Sequence, residues 1–276
     1  MKNARNAFIE SGHFARLRVL NNESIAGTID LESRNALVNR QYGYVSCLRR
    51  HLSNGCIALI LGEGDDEARR SFVASVEWAL KLIGAPPTPG GGIRIYEANV
   101  EVSAEGSRLT SLHERKPQPG EERLSITDYH RALVCVACFG ERSEFRVVAS
   151  VPEEAYQNPG TVASADHWAR VRAWKALLLG SDAEARREAE QAFSTGSGKA
   201  EAAALLALLD GEQDRFDRSL QDAVKQYVKA TAKQVNDPIT AVFFPGLMMC
   251  RMAIDRGMPV KDAPYLPVRL LPNYQG

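Results

Sequence analysis

Four glycines in this chain share one local context, and that recurrence constrains the fold more than any other feature. Each follows a mainly apolar segment and precedes a stretch rich in acidic residues: Gly62, Gly140, Gly180 and Gly211. Glycine commonly ends a helix, and acidic residues are favoured in the first turn of the next helix. The repeated pattern therefore predicts four tight connections between consecutive helices, each forming a helical hairpin.

The connection at Gly180 carries the clearest version of this pattern. The preceding segment, "SADHWARVRAWKALLL" at 164–179, repeats apolar residues at intervals of three and four, which predicts a helix with one buried face. After Gly180 we expect Asp182 to cap a second helix that carries a stripe of alanines. At Gly211 the same pattern predicts a helix with Asp214 as its cap.

The architecture follows from how such hairpins bury their apolar faces. A single hairpin cannot do so alone and therefore stacks on its neighbours. Successive glycines of the pattern are 78, 40 and 31 positions apart, which is too uneven for a regular tetratricopeptide array. We predict an all-α fold, an irregular bundle or short solenoid of stacked helical hairpins, in a single domain over 1–276. Helices of 1–84 would precede a loop excursion at 85–126, with hairpins and a C-terminal strap at 127–276.

The excursion interrupts the helical pattern. The segment "GAPPTPGGG" at 84–92 contains three prolines and four glycines, which excludes a helix interior. The alternating apolar residues that follow predict one short β-hairpin within 92–103 or an extended surface segment. Long ordered loops are often functional, although a variable connection explains the same composition.

The C-terminal part contains an unusually apolar segment. After Asp237, Pro238 is expected to begin a helix that is apolar nearly all round, stops at Gly257 and lies at the centre of the bundle. Pro245 should bend this helix or mark a break in it. Four prolines after Gly257 should keep the tail extended as a strap across the surface.

Composition excludes several classes of partner and location. The 34 basic and 34 acidic residues cancel, so no overall field favours nucleic acid or an anionic membrane as partner. The longest apolar runs are far shorter than the roughly 20 residues that cross a bilayer. The N-terminal segment has no export signal. Five cysteines in mainly apolar segments suit a reducing compartment. We therefore expect a soluble protein in the cytoplasm.

Tests for catalytic motifs fail at specific positions. The segment "TGSGKAE" resembles the end of a phosphate-binding loop, but Phe193 and Ala200 stand where that loop needs glycine and serine or threonine. The pair Cys135 and Cys138 has metal and redox spacing, but it lies in an apolar helix without a second pair, so we expect buried thiols. We predict no catalytic residue, no metal site and no cofactor. An enzyme with a site assembled from scattered residues remains an alternative.

The C-terminal half resembles the bacterial immunity protein 49 family. The resemblance covers roughly 130 to 272 and rests on the order of several segments: "RALVCVACFGERSEFRVVASVP", "ALLLGSD", "LLALLDGEQDRFDRSLQDAVKQY", "NDPITAVFFPGLMMCRMAIDRGMPV" and "YLPVRLL". It implies a largely helical cytoplasmic protein that protects a bacterium from a toxin delivered by kin or neighbours. Such families act by binding, so the resemblance transfers no catalytic residue.

Two classes of function follow from the sequence. The first is an immunity protein, not an enzyme, that binds and neutralises a cognate bacterial toxin by direct contact. The alternative is a helical-repeat adaptor or secretion chaperone that holds a peptide or protein in a groove. In both cases the partner is a protein, not nucleic acid or a membrane. The toxin's identity and the oligomeric state stay open.

Candidate binding residues lie in the excursion and at the acidic connections. Tyrosine and arginine are enriched among residues that anchor interfaces. We expect toxin contacts first from the excursion: Arg94, Tyr96, Glu97 and Arg108. Second candidates are the acidic residues after the glycines, for which helix capping is the competing explanation: Asp65, Asp66, Asp182 and Asp214.

Overall fold

The computed structural model describes residues 2–34, 36–37, 40–84, 95–103, 106–115, 124–157, 163–195 and 198–275, with the strand residues described by their backbone. Within these ranges the protein is an all-α bundle, as predicted, with one added β-hairpin. The helices are α1 (Lys2–Glu10), α2 (His13–Ser33), α3 (Arg40–Leu61), α4 (Asp65–Gly84), α5 (Ile126–Phe139), α6 (Arg142–Ala149), α7 (Ala165–Leu178), α8 (Asp182–Thr195), α9 (Lys199–Asp210), α10 (Gln213–Ala230) and α11 (Phe244–Asp255).

Three of the four predicted glycine connections share one backbone geometry. Gly62, Gly180 and Gly211 have φ between 69° and 78°, in the left-handed region that glycine adopts without steric cost. In each case the next amide donates to a carbonyl five residues earlier, as Ser181 N does to Ala176 O at 2.8 Å. This Schellman arrangement ends the helix and satisfies its last carbonyls. Gly140 differs, because it ends α5 with an extended backbone.

The predicted caps at two of these connections are wrong by one or two residues. Asp182 is the first residue of α8, and Asp214 is the second residue of α10. The cause is the compact Schellman turn, which leaves only Ser181 between Gly180 and α8. Both aspartates therefore lie within the first turn, where the helix dipole favours a carboxylate.

Consecutive helices pack as hairpins around α5. The main pairs are α3 with α4, α7 with α8 and α9 with α10, while α4 and α11 pack against α5. Ten of the fourteen residues of α5 are buried, including every residue from Ala132 to Phe139. A helix that is apolar on all sides occupies the centre of a bundle. The sequence predicted this position for the C-terminal apolar helix, and α5 shares it.

The C-terminal apolar segment is broken where Pro245 predicted a break. Residues Pro238–Ala241 form a short 3₁₀ turn, capped by the Asp237 carboxylate, which accepts from Ile239 N at 3.1 Å. The chain is then extended until α11 begins at Phe244, so the prediction that Pro238 begins the α-helix is wrong, while the expected break is present. The reason is that Pro245 lacks an amide donor and fits only in a first helical turn.

The excursion contains a longer β-hairpin than the sequence predicted. Strand β1 (Ile95–Ser103) pairs antiparallel with β2 (Gly106–Arg115), so the second strand lies beyond 92–103. The prediction missed β2 because its apolar residues, Leu109 and Leu112, are three positions apart and break strand alternation. The proline-rich segment at 85–94 lies outside the described residues. We refer to β1 and β2 together as the ribbon.

The C-terminal strap, residues 258–275, packs against α4 and α11. Its apolar residues are buried: Leu266, Val268, Leu270 and Leu271. The Tyr265 carbonyl accepts from Phe243 N at 2.8 Å, and Tyr265 has φ of 67°. This left-handed conformation costs a non-glycine residue of order 1 kcal/mol, and ring contacts with Tyr227 accompany it.

We predict that Gly55→Ala destabilises the fold. A Cβ at Gly55, on α3, would overlap the ring of Phe72 on α4. Phe72 cannot move freely because it stacks on Phe139 of α5 at 4.8 Å between ring centroids. Overpacking of this kind lowers the free energy of unfolding by about 1–3 kcal/mol, which urea titration would measure.

Gly27→Ala is the matched control, because nothing lies within 4 Å of a Cβ built at this helical glycine. Alanine in an exposed helix is more stable than glycine by roughly 0.5–1 kcal/mol. The control should therefore raise the urea midpoint. Equal effects of the two substitutions would contradict the packing argument.

Candidate interaction surface

Two of the acidic candidates are engaged in ion pairs within the molecule. The Asp65 carboxylate, at the start of α4, accepts two hydrogen bonds of 2.9 Å from Arg269 Nε on the strap. The Asp182 carboxylate, at the start of α8, accepts from Arg256 Nη2 at 2.6 Å, just after α11. Both side chains are half exposed. Each carboxylate therefore ties the start of a helix to the C-terminal part of the chain.

Asp66 lies in a polar cleft on the N-terminal helices. The cleft has a volume of about 810 Å³ and lies between α2, α3 and the start of α4, with these residues among its lining: Arg18, Asn22, His51, Asn54, Asp66 and Arg70. Asp182 and Asp214 begin different helices and do not line it. The four acidic candidates are thus distributed over three helix starts, those of α4, α8 and α10.

A buried amide and hydroxyl network supports the floor of this cleft. The Asn21 amide nitrogen donates to Ser53 Oγ at 3.0 Å and to Asn54 Oδ1 at 2.9 Å. The Asn54 amide nitrogen in turn donates to Asn22 Oδ1 at 2.8 Å, which reaches the cleft. Buried polar groups that are fully paired fix the relative position of two helices. The network therefore holds α2 against α3, and its residues gave no sequence signal because each pair is more than thirty positions apart.

A second concave surface lies between α1, the end of α3 and the strap. It has a volume of about 740 Å³ and combines apolar residues with two arginines, including Ile9, Leu59, Tyr265, Arg5 and Arg269 among those lining it. Arg5 donates to Thr240 Oγ1 at 2.9 Å, and Arg269 is held by Asp65 and Asp262. Its charged residues thus have partners inside the protein.

The ribbon brings together three of the four excursion candidates. Antiparallel pairing places Tyr96 opposite Glu114, Glu97 opposite His113 and Glu101 opposite Arg108. Tyr96, Glu97 and Arg108 therefore belong to one two-stranded element. Arg94 lies outside the described residues.

A β-bulge gives the ribbon one apolar and one polar face. The register shifts between Asn99 and Val100, so β2 contributes one extra residue, Thr110. Because of this extra residue, Leu109 and Leu112 occupy the same face although they are three positions apart. That face contains most of the apolar residues of the two strands: Tyr96, Ala98, Val100, Val102, Leu109 and Leu112. The opposite face contains most of the charged residues: Glu97, Glu101, Arg108, His113 and Arg115.

The cysteines behave as the sequence predicted. Cys135 and Cys138 are buried in α5, and burial raises the pKa of the Cys135 thiol to about 12. Cys135 Sγ lies 2.8 Å from Ser75 Oγ on α4, so the thiol packs between helices.

Within the described ranges, no group of three or more His, Cys, Asp or Glu side chains is arranged to hold a metal ion. Across the same ranges, every helix is too short or too polar to span a bilayer.

Sequence reasoning missed a pair of partly buried histidines. His130 on α5 and His167 on α7 approach with ring centroids 5.2 Å apart, and the Nε2 atom of each is buried without a hydrogen-bond partner in the described part of the chain. Burial, with His167 and Arg170 nearby, lowers the pKa of His130 to about 3, and burial also lowers the pKa of His167. No spacing in the sequence signals this pair, because packing of two separate helices creates it.

We predict that this pair makes the protein less stable in mild acid. Below pH of about 6.5 the unfolded chain binds a proton on His130 that the folded protein excludes down to pH of about 3. The free energy of unfolding therefore falls by up to about 1.4 kcal/mol per pH unit for this group. Urea titrations between pH 7 and 5 should give a smaller slope for His130→Gln than for the wild type. Equal slopes would contradict the assignment.

The comparisons with known proteins identify one family. Neither a curated protein nor a solved structure matches this chain. The family model described as Immunity protein 49 matches residues 116–270, which contain α5 to α11 and most of the strap. The match begins immediately after β2 ends at Arg115, so the ribbon and the four preceding helices lie outside it. Because the match covers more than half of the sequence, the chain belongs to the Immunity protein 49 family.

Proposed function

We propose that this protein is an immunity protein that binds a cognate bacterial toxin and neutralises it by direct contact. The observation that carries the proposal is the family match over residues 116–270, which contain α5 to α11 and most of the strap. Under this proposal the protein acts by binding and not by catalysis, and it meets the toxin in the cytoplasm. It protects the producing cell in competition between bacteria.

We also propose that the matched and unmatched parts act as a single domain. One apolar core runs from Ile25 on α2 to Leu271 on the strap. The ion pair between Asp65 and Arg269 joins the two parts at the surface. A toxin bound to either part would therefore meet a surface held by the same core.

The proposed contact residues are ranked by what already binds them. Asp65 and Asp182 hold arginines of their own chain, and a toxin would have to displace those arginines before it could use the carboxylates. Asp66 lines the open polar cleft, and Asp214 lies in the first turn of α10. These four remain second candidates. The ribbon, with Tyr96, Glu97 and Arg108, is the first candidate because its register places residues of both charge signs on one face and mainly apolar residues on the other. Arg94, outside the described residues, stays a proposed contact.

Co-expression tests the proposed function directly. A bacterial strain would express the toxin gene adjacent to this chain's gene, with the chain or with an empty vector. We expect growth with the chain and growth arrest without it. Growth arrest in both strains would overturn the proposal.

The stoichiometry of protection separates binding from catalysis. With the purified toxin and a direct assay of its activity, we expect inhibition to increase linearly with the amount of this protein and to stop increasing at a fixed molar ratio. Full inhibition at a small fraction of the toxin concentration would instead indicate that the chain modifies the toxin catalytically. Gly27→Ala, which leaves the proposed surface unchanged, is the control for protein quality.

A further inference from the structure

Among the described residues, each strand of the ribbon pairs on one side only, and the two outer edges are not equivalent. In a two-stranded sheet each strand pairs on one side only, so alternate amides and carbonyls on its other side have no partner in the sheet. Strand β1 is nine residues long and contains no proline, lysine or bulge. Strand β2 carries the bulge and two arginines, which are features that discourage further pairing at an edge. The β1 edge is therefore the better template for an added strand.

The charge pattern of β1 excludes a second copy of this chain as the symmetric partner. Glu97 and Glu101 are the charged residues of β1 and share its polar face. If two copies paired along the whole of β1 about a two-fold axis at Asn99, Glu97 of one copy would lie opposite Glu101 of the other. Like charges directly opposite each other are destabilising. The same two carboxylates favour a partner strand that carries lysine or arginine.

We infer that β1 binds an edge strand of the cognate toxin by strand addition, with basic residues of that strand opposite Glu97 and Glu101. Main-chain hydrogen bonds supply affinity in this mode, and alternate side chains supply specificity. Tyr96, Ala98, Val100 and Val102 lie on the apolar face of β1. We therefore expect apolar residues at the positions of the toxin strand that alternate with its basic residues. This inference rests on the proposed function and names the surface and the chemistry of its partner.

The position of the ribbon relative to the family match agrees with such a role. The match begins at residue 116, directly after β2, so it covers α5 to α11 and most of the strap, and the ribbon lies outside it together with α1 to α4. An element that selects one toxin would differ among members that share a scaffold. Strand addition at β1 would thus let the family keep its core while the partner changes.

Hydrogen–deuterium exchange on the full-length protein tests the mode of binding. The probe is the purified toxin domain encoded beside this chain's gene. We expect the toxin to slow the exchange of those amides of 95–103 that do not pair with β2 at least tenfold relative to the unbound protein. Amides on the open edge of 106–115 should change little. A complex that protects other segments and leaves 95–103 unchanged would overturn the inference.

Charge-neutralising variants test the chemistry of the partner. The double variant Glu97→Gln and Glu101→Gln keeps the size of both side chains and should raise the Kd for the toxin about tenfold at low salt. This increase should shrink as the salt concentration rises. The matched control, Glu23→Gln with Glu190→Gln, removes the same charge from two exposed glutamates on α2 and α8 and should change the Kd less than twofold. Unchanged thermal unfolding of both variants would exclude loss of folding as the cause.

The outcomes separate this inference from the function on which it rests. If a complex forms and co-expression protects cells, but the β1 variant binds like the wild type, the inference fails and the proposed function stands. If the control variant loses as much affinity as the β1 variant, the loss is not specific to β1 and strand addition at β1 is likewise excluded. If no complex forms and toxicity is unchanged, both fail.

Discussion

The burial of α5 is the constraint on which the rest of the structure depends. Eight consecutive residues, Ala132 to Phe139, are buried, so no side of this part of the helix faces water. Such a helix must be enclosed by others, and here α4, α6, α7 and α11 pack around it. Its aromatic ends extend the core in two directions: Phe139 stacks on Phe72, and Tyr129 stacks on Tyr156. The family match covers α5 and most of its neighbours, which is consistent with a shared core.

Arginines that reach across the chain hold the outer elements to this core. Arg269 connects the strap to the start of α4, Arg256 connects the residue after α11 to the start of α8, and Arg172 pairs with Glu153 before α7. Most of these pairs are partly exposed, so each contributes at most about 1 kcal/mol. Their role is chiefly to fix register, because the buried apolar surface supplies most of the stability. The arginines and carboxylates of these pairs are therefore already bound to residues of the same chain.

The ribbon contrasts with this scaffold. Helices pair their backbone groups within each helix, whereas in the described part of the chain each strand of the ribbon pairs on one side only. A rigid scaffold that carries one element with unpaired backbone groups is a common arrangement for recognition. The family match begins at residue 116, directly after the ribbon, and leaves the ribbon outside together with α1 to α4.

The sequence by itself determined the helical class, the glycine connections and the break at Pro245. These features are local: a left-handed glycine or a missing proline amide acts within a few residues of its own position. The resemblance in the C-terminal half also identified the family correctly from the order of apolar and glycine-containing segments. Even here the caps were misplaced, because the compact turn after Gly180 left one residue where the prediction needed two.

Only the tertiary structure decided which distant residues meet. The histidine pair of α5 and α7, the amide network between α2 and α3, and the Asp65–Arg269 pair join residues far apart in the chain. The β-bulge decided the faces of the ribbon, since one extra residue in β2 moves Leu109 onto the face of Val100. Periodicity predicts which side of an element is buried, but the packing of elements and the strand register determine what lies opposite.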